Sequence, residues 1–260
     1  MRILTTAKSV FDTELNVSLD KGKIVKEKMQ FVMNPWDENA IEAAVQFKEN
    51  SDAETTLVSI GDENSIAVIR RGFAMGIDFG IHIHETVLDD ATADILALIL
   101  EKVYRKKNYD LILAGKQSQD TDNGQVGIML AEIVGIPCVS NVIKIDQMDQ
   151  ECLEVTRLGD SGLEIYEVQL PALLTVNDSI NEPRLVGVRG VLNAKKKNIT
   201  TLNLSDLDLT AEAIGIETPK IKIVESVFQK SEKSTKKFEG DPAEITEKVV
   251  SLLVEETGVI

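Results

Sequence analysis

Runs of consecutive hydrophobic residues alternate with amphipathic stretches through the first half of the chain. The runs "TTLVSI" and "DLILAG" are apolar at almost every position, which is typical of strands covered on both faces. Around them, "NPWDENAIEAAVQFKEN", "NSIAVIRRGFAMG" and "DDATADILALILEKVYRKK" place apolar residues at helical spacing. Strands and helices in this alternation predict a doubly wound α/β fold with a mostly parallel, Rossmann-like sheet.

Local signals predict where several of these elements begin and end. Asn34 is a candidate cap for the first helix, and Pro35 suits its first turn. Gly76 follows the second helix, and the third helix begins behind the aspartates at 89–90. The turn signal "DKGK" predicts a β-hairpin within 15–32.

The pattern changes after about residue 138. Alternating apolar and polar positions over 138–176, with "GDSG" as a turn, predict antiparallel strands. An irregular arm is expected over 177–209, a polar linker over 217–240 and an amphipathic helix over 242–257.

These segments predict two parts. The first is an α/β domain with β-hairpin additions, residues 1–178. The second, residues 179–260, consists of an extended C-terminal arm, a linker and a helix, and has too little apolar periodicity to fold alone. We therefore expect the second part to wrap a partner subunit.

Composition excludes several classes of function. The chain has 260 residues and a formal net charge of −15, which disfavours nucleic acid as a partner. Its apolar runs fall short of the roughly 20 residues that span a membrane, and the start carries no secretory signal. Cys138 and Cys152 have no CxxC spacing, which favours reduced thiols and a cytoplasmic protein.

Ligands of doubly wound sheets bind beyond the carboxyl ends of the strands. The sequence places Ala7 and Lys8, Ile60 and Gly61, and Gly115–Gly127 at such ends. The last stretch, "GKQSQDTDNGQVG", leads from a strand into a helix, where unpaired backbone N–H groups attract phosphates. Two aspartates within it are unexpected, since they would repel a phosphate.

Each aspartate has an interpretation that avoids a phosphate. Asp122 or Asn123 could cap the helix that begins near Gly124, and Asp120 could accept hydrogen bonds from a ribose. Gln117 offers donors and acceptors to adenine, flavin or phosphate, as does Gln125. The stretch therefore predicts a nucleotide site without identifying the nucleotide.

Familiar catalytic signatures are missing from the sequence. It contains no GxxxxGK[ST], no GxGxxG after the first strand and no GxSxG. His82 and His84 share one face of a strand, but a third metal ligand with suitable spacing is lacking. We predict neither catalytic residues nor a metal site.

Several stretches together resemble one family, the beta (small) subunits of electron-transfer flavoproteins. The matching stretches, in chain order, are "TTAKSVFD", "MNPWDENAIEAAVQFK", "VSIG", "RRGFAMGID", "GKQSQDTDNGQVG", "LPALLTV" and "NEPRLVGVRGVLNAKKKNI". Each alone is a weak signal, but the ordered set, which spans about three-quarters of the chain, is specific.

The resemblance implies an adenine-nucleotide-binding core that is incomplete without a flavin-carrying alpha subunit. Carried over to this sequence, the nucleotide contacts fall on Thr6, Ala7, Asn34, Pro35, Trp36, Asp37, Ile60, Gly115, Lys116, Gln117, Ser118, Gln119, Asp120, Thr121, Asp122, Asn123, Gly124, Gln125 and Val126. Thr121, Asn123 and Gln125 would face the phosphates together with the backbone.

The family has two branches that differ in the nucleotide held here. One holds AMP as a structural filler, and the other holds a second FAD that bifurcates electrons. "QVG" at 125–127, Asp37 and "VRG" at 188–190 resemble the bifurcating branch, whereas "SQDTDNG" departs from its wording. We favour FAD, with AMP as the alternative. Arg189 would then donate to a flavin edge, or else be an ordinary surface arginine.

The resemblance also implies partners. The subunit would pass electrons between a flavin-dependent dehydrogenase of the acyl-CoA or hydroxy-acid type and other carriers, with Val188 as a docking anchor. NADH and ferredoxin or flavodoxin would join in anaerobic bifurcation. Such a subunit transforms no substrate by itself. Two other classes remain open, an ATP-using enzyme of related fold and an adenine-nucleotide sensor. Against the first, "TTAKSVFD" lacks a Ser/Gly-rich phosphate loop; against the second, a sensor needs no long arm.

Overall fold

The structure is a computed structural model. It describes residues 1–13, 18–20, 23–25, 29–88, 91–147, 149, 151–216, 220–221, 223–227 and 236–257. The chain divides into two compact units, Met1–Glu225 and Ser226–Ile260. The predicted boundary at residue 178 separates the α/β domain from the part expected to wrap a partner subunit, and it stays a prediction.

The secondary structure consists of short strands and six α-helices among the described residues. The strands are β1 (Arg2–Thr6), β2 (Ser9–Phe11), β3 (Leu19–Asp20), β4 (Lys23–Ile24), β5 (Phe31–Met33), β6 (Glu54–Ile60), β7 (Phe79–Ile83), β8 (Leu111–Gly115), β9 (Cys138–Gln147), β10 (Cys152–Gly159), β11 (Gly162–Gln169), β12 (Ala172–Val176) and β13 (Ile199–Leu202). The helices are α1 (Pro35–Asn50), α2 (Asn64–Met75), α3 (Ala93–Lys107), α4 (Val126–Val134), α5 (Val188–Lys196) and α6 (Pro242–Leu252).

Nine strands form one sheet in the order β11-β10-β9-β12-β8-β1-β6-β7-β13. Along this order, every pair of neighbours from β9 to β13 is parallel. At the other edge, β10 is antiparallel to both β9 and β11. The predicted doubly wound, mostly parallel α/β fold is confirmed.

Helices cover both faces of this sheet, which explains the apolar runs. Ile3 of β1 packs in a core cluster with residues of α1 and α2, while its neighbour Leu4 packs in a second cluster with α3 and α4. Both side chains are fully buried. Burial of an aliphatic side chain of this size contributes about 1.5–3 kcal/mol, so strands apolar on both faces stabilise this architecture strongly.

Most predicted element ends are confirmed. Pro35 opens α1, and Gly76 follows α2 with a φ of 131° that glycine tolerates. A hairpin within 15–32 is present, because β3 pairs antiparallel with β4, although the turn at 21–22 lies outside the described residues. The aspartates at 89–90 also lie outside them, and α3 begins at Ala93.

One strand in the second half differs from its predicted direction. The "GDSG" hairpin is confirmed, with Gly159 opposite Gly162. However, β12 is parallel to both neighbours, β8 and β9, and not antiparallel. All of its residues are buried because it lies inside the sheet. A run of five apolar residues does not predict whether a strand is parallel or antiparallel to its neighbours.

The arm after residue 176 is more regular than predicted. It contains α5 and then β13, which extends the main sheet beside β7. The prediction of an irregular arm is therefore wrong for these residues. The apolar side chains of α5 are largely exposed, so the helix lacks the usual buried stripe. The last predicted helix is confirmed as α6, whose cap Asp241 accepts a hydrogen bond from the N–H of Ala243.

Candidate functional site

The order of the strands reverses between β1 and β8. From β1 the chain proceeds through β6 and β7 on one side, and then crosses to β8 on the other. The carboxyl ends of β6, β1 and β8 lie side by side, which brings Ile60, Thr6, Ala7 and Gly115 to one edge. A crevice at such a switch point is the usual ligand site of open α/β sheets.

Asp37 braces this crevice from the first turn of α1. Its Oδ2 accepts a hydrogen bond from the N–H of Lys8 at 2.8 Å, and its Oδ1 accepts one from the N–H of Gly115 at 3.2 Å. Burial raises the pKa of its carboxyl to about 7, although these N–H groups and Asn34 favour the charged form. A Cβ on Gly115 would lie 2.3 Å from Oδ1, so only glycine permits this approach. Asp37 therefore joins α1 to the ends of two strands.

Asn34 holds the loop that follows β8, here called the 115–125 loop. Its side-chain amide donates to the carbonyl of Gln117 at 2.8 Å, and its Oδ1 accepts from the N–H of Gln119 at 3.1 Å. Asn34 is fully buried. It occupies the cap position of α1, but its side chain makes no cap hydrogen bond there. The predicted capping role of this side chain is therefore wrong, because the loop has taken both of its polar atoms.

Each aspartate of the 115–125 loop has a partner within the protein. Asp120 forms an ion pair with Lys8, with Nζ and Oδ2 2.7 Å apart, and its side chain is only 15% exposed. Asp122 accepts a hydrogen bond from the side chain of Gln117 at 3.0 Å. Lys8 thus compensates one negative charge, and the second aspartate is exposed to solvent.

The expected caps of α4 are absent. The residue before the helix is Gln125, and no side chain caps it. Asp122 instead adopts a left-handed backbone, with φ 51°, and its N–H donates to the carbonyl of Ser118. The prediction that Asp122 or Asn123 caps this helix is wrong.

This uncapped helix start fits the phosphate part of an adenine nucleotide. The first N–H groups of an α-helix have no intrahelical acceptor and carry partial positive charge. The first turn of α4 contains no acidic residue, and Gly124 before it has φ 60°. The hydroxyls of Ser118 and Thr121, 2.9 Å apart, lie in the same loop. The donors present are those that a phosphate requires.

The remaining predicted contacts lie around these residues. Pro35 and Trp36 stand at the start of α1, with Trp36 half-buried. The N–H of Lys116 donates to the carbonyl of Val176 at 2.9 Å, which ties the loop to β12. Gln119 donates its side-chain amide to Thr13. Asn123, Gln125 and Val126 follow at the start of α4. Whether each contacts a nucleotide stays a prediction.

Val188 and Arg189 are not brought to this edge. They open α5, where Gly190 lies against Ala74 in the last turn of α2. Helix α2 begins after the carboxyl end of β6 and returns the chain to the start of β7. The start of α5 therefore lies toward the opposite edge of the sheet. The flavin contact of Arg189 stays a prediction.

His82 and His84 form a pair without a metal cluster. Nε2 of His82 and Nδ1 of His84 each lie 3.0 Å from the carbonyl oxygen of Gly61, so both imidazoles donate to it. Within the described part of the chain, no group of three or more potential ligands is suited to a metal ion. The pair secures the turn after β6, next to Ile60.

Gly124 gives a direct test of the loop. We expect Gly124→Val to lower nucleotide retention about tenfold, since a hydrogen bond to a charged group contributes about 1.5–3 kcal/mol. Valine disfavours the φ of 60° at this position, and its Cβ would lie 3.2 Å from the carbonyl of Lys116. The measurement is the nucleotide released per mole of purified protein after dialysis. Gly135→Val is the matched control, because Gly135 has φ 80° but open space around its Cβ. Equal retention in both variants would contradict the role of the loop.

Comparison with known proteins gives a consistent result. The family model described as "Electron transfer flavoprotein domain" matches residues 22–207. The "Electron transfer flavoprotein subunit beta" of Bacillus subtilis (strain 168) is 34% identical over 261 residues, 100% of each chain. The protein of that name from Syntrophomonas wolfei is 34% identical, over 93% of this chain and 91% of its own. The "Caffeyl-CoA reductase-Etf complex subunit CarD" of Acetobacterium woodii is 35% identical over 87% of each. None of the described helices is long and apolar enough to cross a membrane.

Proposed function

Because this chain belongs to the electron transfer flavoproteins as a beta subunit, we propose that it works in a cytoplasmic heterodimer with an alpha subunit. In this heterodimer it binds FAD in the crevice at the switch point of the sheet and takes part in electron bifurcation. The single observation that carries the proposal is the arrangement of the loop at the switch point of the sheet. Asp37, Asn34 and Lys8 hold the 115–125 loop beside an uncapped helix start. A bound FAD would supply the flavin ring that accepts and releases electrons.

The choice of FAD over AMP rests on short sequence motifs. "QVG" at 125–127, Asp37 and "VRG" at 188–190 resemble the bifurcating branch. The similarity to a subunit named for a caffeyl-CoA reductase-Etf complex supports a role in a larger reductase assembly. Structural AMP is the alternative occupant, since the phosphate donors of the loop suit either nucleotide. In that case the subunit would hold no redox centre.

Exposed aliphatic residues of α5, together with Leu185 shortly before the helix, form the proposed contact with a dehydrogenase. Leu185 is 99% exposed and Val188 79%, and Val191 and Leu192 are exposed on the next turn. We call these four residues the docking face. Exposed aliphatic side chains grouped in this way commonly mark partner surfaces. An acyl-CoA or hydroxy-acid dehydrogenase is the proposed electron-exchange partner, with Val188 as the anchor.

The segment after residue 219 supports the proposed pairing with an alpha subunit. Ile221, Ile223 and Val224 are each at least 67% exposed. The burial of aliphatic residues exposed to this degree by another chain is favourable in free energy. We propose that 179–260 contributes to this contact. Co-purification of the two chains, which the following experiment requires, tests the pairing.

The test of the proposed function is a cofactor count on the purified heterodimer. Nucleotides are extracted and quantified by chromatography against protein. We expect two FAD per heterodimer, and ferredoxin reduction by NADH only when a high-potential acceptor is also present. One FAD with one AMP would contradict bifurcation and support the structural alternative. The same count on an Arg189→Ala heterodimer tests the flavin contact of that residue. ATP turnover by this chain alone would instead support an ATP-using enzyme. A nucleotide content that follows the ATP to AMP ratio of the buffer would support an adenine-nucleotide sensor.

A further inference from the structure

The inner side of α5 is packed closely against α2. A Cβ on Gly190 would lie 2.7 Å from the carbonyl oxygen of Ala74, a distance too short for any residue except glycine. Ala194, one turn later on the same side of the helix, is 3% exposed. These two small residues let the backbones of α5 and α2 approach each other. The docking face is thus held on a fixed helix.

Arg70 of α2 fastens the other end of α5. Its guanidinium donates from Nη1 to the carbonyl of Ala194 at 2.6 Å and also to the carbonyl of Lys197. The last carbonyls of a helix have no intrahelical donor, and they carry partial negative charge. The carbonyl of Ala194 also accepts the N–H of Lys197, at 3.3 Å, and Arg70 adds a shorter, charged hydrogen bond to it and another to Lys197. The guanidinium also lies over the ring of Phe73, with Cζ 5.9 Å from its centroid.

The neighbouring arginine has a different role. Arg71 pairs with Glu38 of α1, and its side chain is 50% exposed. No described contact joins Arg71 to α5. Variants of these two adjacent arginines therefore distinguish the loss of the contact with α5 from the loss of a positive charge on α2.

We propose that Arg70 is a positioning residue for the docking face: by holding the last carbonyls of α5 against α2, it fixes the orientation in which Leu185, Val188, Val191 and Leu192 meet the dehydrogenase. This inference rests on the proposed docking function of α5. In this proposal Arg70 acts through α5, by its hydrogen bonds to the carbonyls of Ala194 and Lys197. Its contribution is to the assembly of the electron-transfer complex and not to electron transfer within it.

The experiment measures reduction of the whole heterodimer by a purified acyl-CoA dehydrogenase that reduces the wild-type complex. We expect Arg70→Ala to raise the KM for the heterodimer about tenfold, with kcat and the flavin reducible by dithionite unchanged. Gly190→Ala reaches the same helix by a second route, and the KM should rise because its Cβ displaces α5 from α2. Val188→Asp tests the docking face itself and should raise the KM in the same way.

Matched controls decide the outcome. Arg71→Ala should leave the KM within twofold of the wild-type value, and so should Gly187→Ala, whose Cβ would enter open space. If Arg70→Ala behaves like Arg71→Ala, or lowers kcat without raising the KM, Arg70 does not position the docking face. If Val188→Asp has no effect, the docking face itself is wrong, and this separates failure of the proposed function from failure of the inference.

Discussion

Asp37→Ala is expected to lower the free energy of unfolding of the heterodimer by about 2–5 kcal/mol and to release the nucleotide. The substitution leaves the partly buried N–H groups of Lys8 and Gly115 without their acceptor, and the loss of an acceptor costs a buried donor about 1–3 kcal/mol. It also separates α1 from the ends of β1 and β8, between which the crevice is formed. Urea denaturation followed by circular dichroism measures the first effect, and nucleotide content measures the second.

The neighbouring residue supplies the control. Glu38 lies in the same helical turn but pairs with Arg71 at the surface. Such pairs contribute roughly 0–1 kcal/mol, so Glu38→Ala should change stability little. If the two alanine variants unfold at the same urea concentration, the brace formed by Asp37 is not important for the fold.

The same carboxyl group predicts a dependence of stability on pH. Its pKa is raised from 3.8 to about 7 by burial, so between these values the folded protein holds a proton that the unfolded chain has lost. The contribution of Asp37 to stability is therefore largest at low pH and falls as pH rises through this window, by about 2–3 kcal/mol between pH 5 and pH 8. Asp37→Asn removes the group, so the difference between wild type and variant should change by this amount. Parallel curves for the two proteins would contradict the assignment.

Arg184→Ala is expected to cost about 2 kcal/mol of stability at neutral pH and to loosen the segment that leads to α5. The guanidinium donates to both oxygens of Glu42, at 2.8 and 3.0 Å, and to Glu49. The side chain of Glu42 is only 4% exposed, and removal of one partner of a buried pair leaves an uncompensated charge. We place the cost below the usual 3–5 kcal/mol because Arg184 is 31% exposed.

The effect of Arg184→Ala should weaken in acid. Burial raises the pKa of Glu42, but the hydrogen bonds from Arg184 outweigh burial and hold that pKa below its ordinary 4.5. The pair therefore stabilises the fold above that pH, and its contribution is lost as the carboxyl takes up a proton. Urea denaturation at neutral and acid pH measures the change. Arg157→Ala, which breaks the more exposed pair with Glu164, is the control. A cost for Arg184→Ala that does not vary with pH would contradict this account.

The sequence predicts the fold where local pattern and tertiary packing agree. The runs of β6 and β8 are apolar on both faces because helices cover them, so the parallel sheet and its ligand edge follow from hydrophobicity alone. The parallel direction of β12 does not, because direction depends on which strands flank it. The helix α5 was missed for a similar reason, since most of its apolar residues are exposed and do not show the buried stripe that predicts a helix.

The sequence predicts which strand ends share an edge of the sheet but not which side chains contact each other there. Gly115 and Ile60 lie at that edge, on either side of β1, but the partners of individual side chains come from distant parts of the chain. Lys8 reaches Asp120 across 112 positions, and Asn34 reaches Gln117 across 83. An asparagine before a helix, such as Asn34, predicts a hydrogen bond from its side chain to the first turn of that helix. Only the folded chain shows that the distant 115–125 loop uses the polar atoms of this side chain instead.

Asn34 shapes the 115–125 loop through contacts that involve no ligand. The conformational entropy of ordering this loop is therefore lost when the chain folds, and binding need not supply it again. Under the proposed function, such preorganisation would let one loop accept either member of a pair of nucleotides that share their adenosine and phosphate. A lineage could then exchange a redox-active occupant for an inert one without rebuilding the loop, through changes confined to the surface that meets the rest of the molecule.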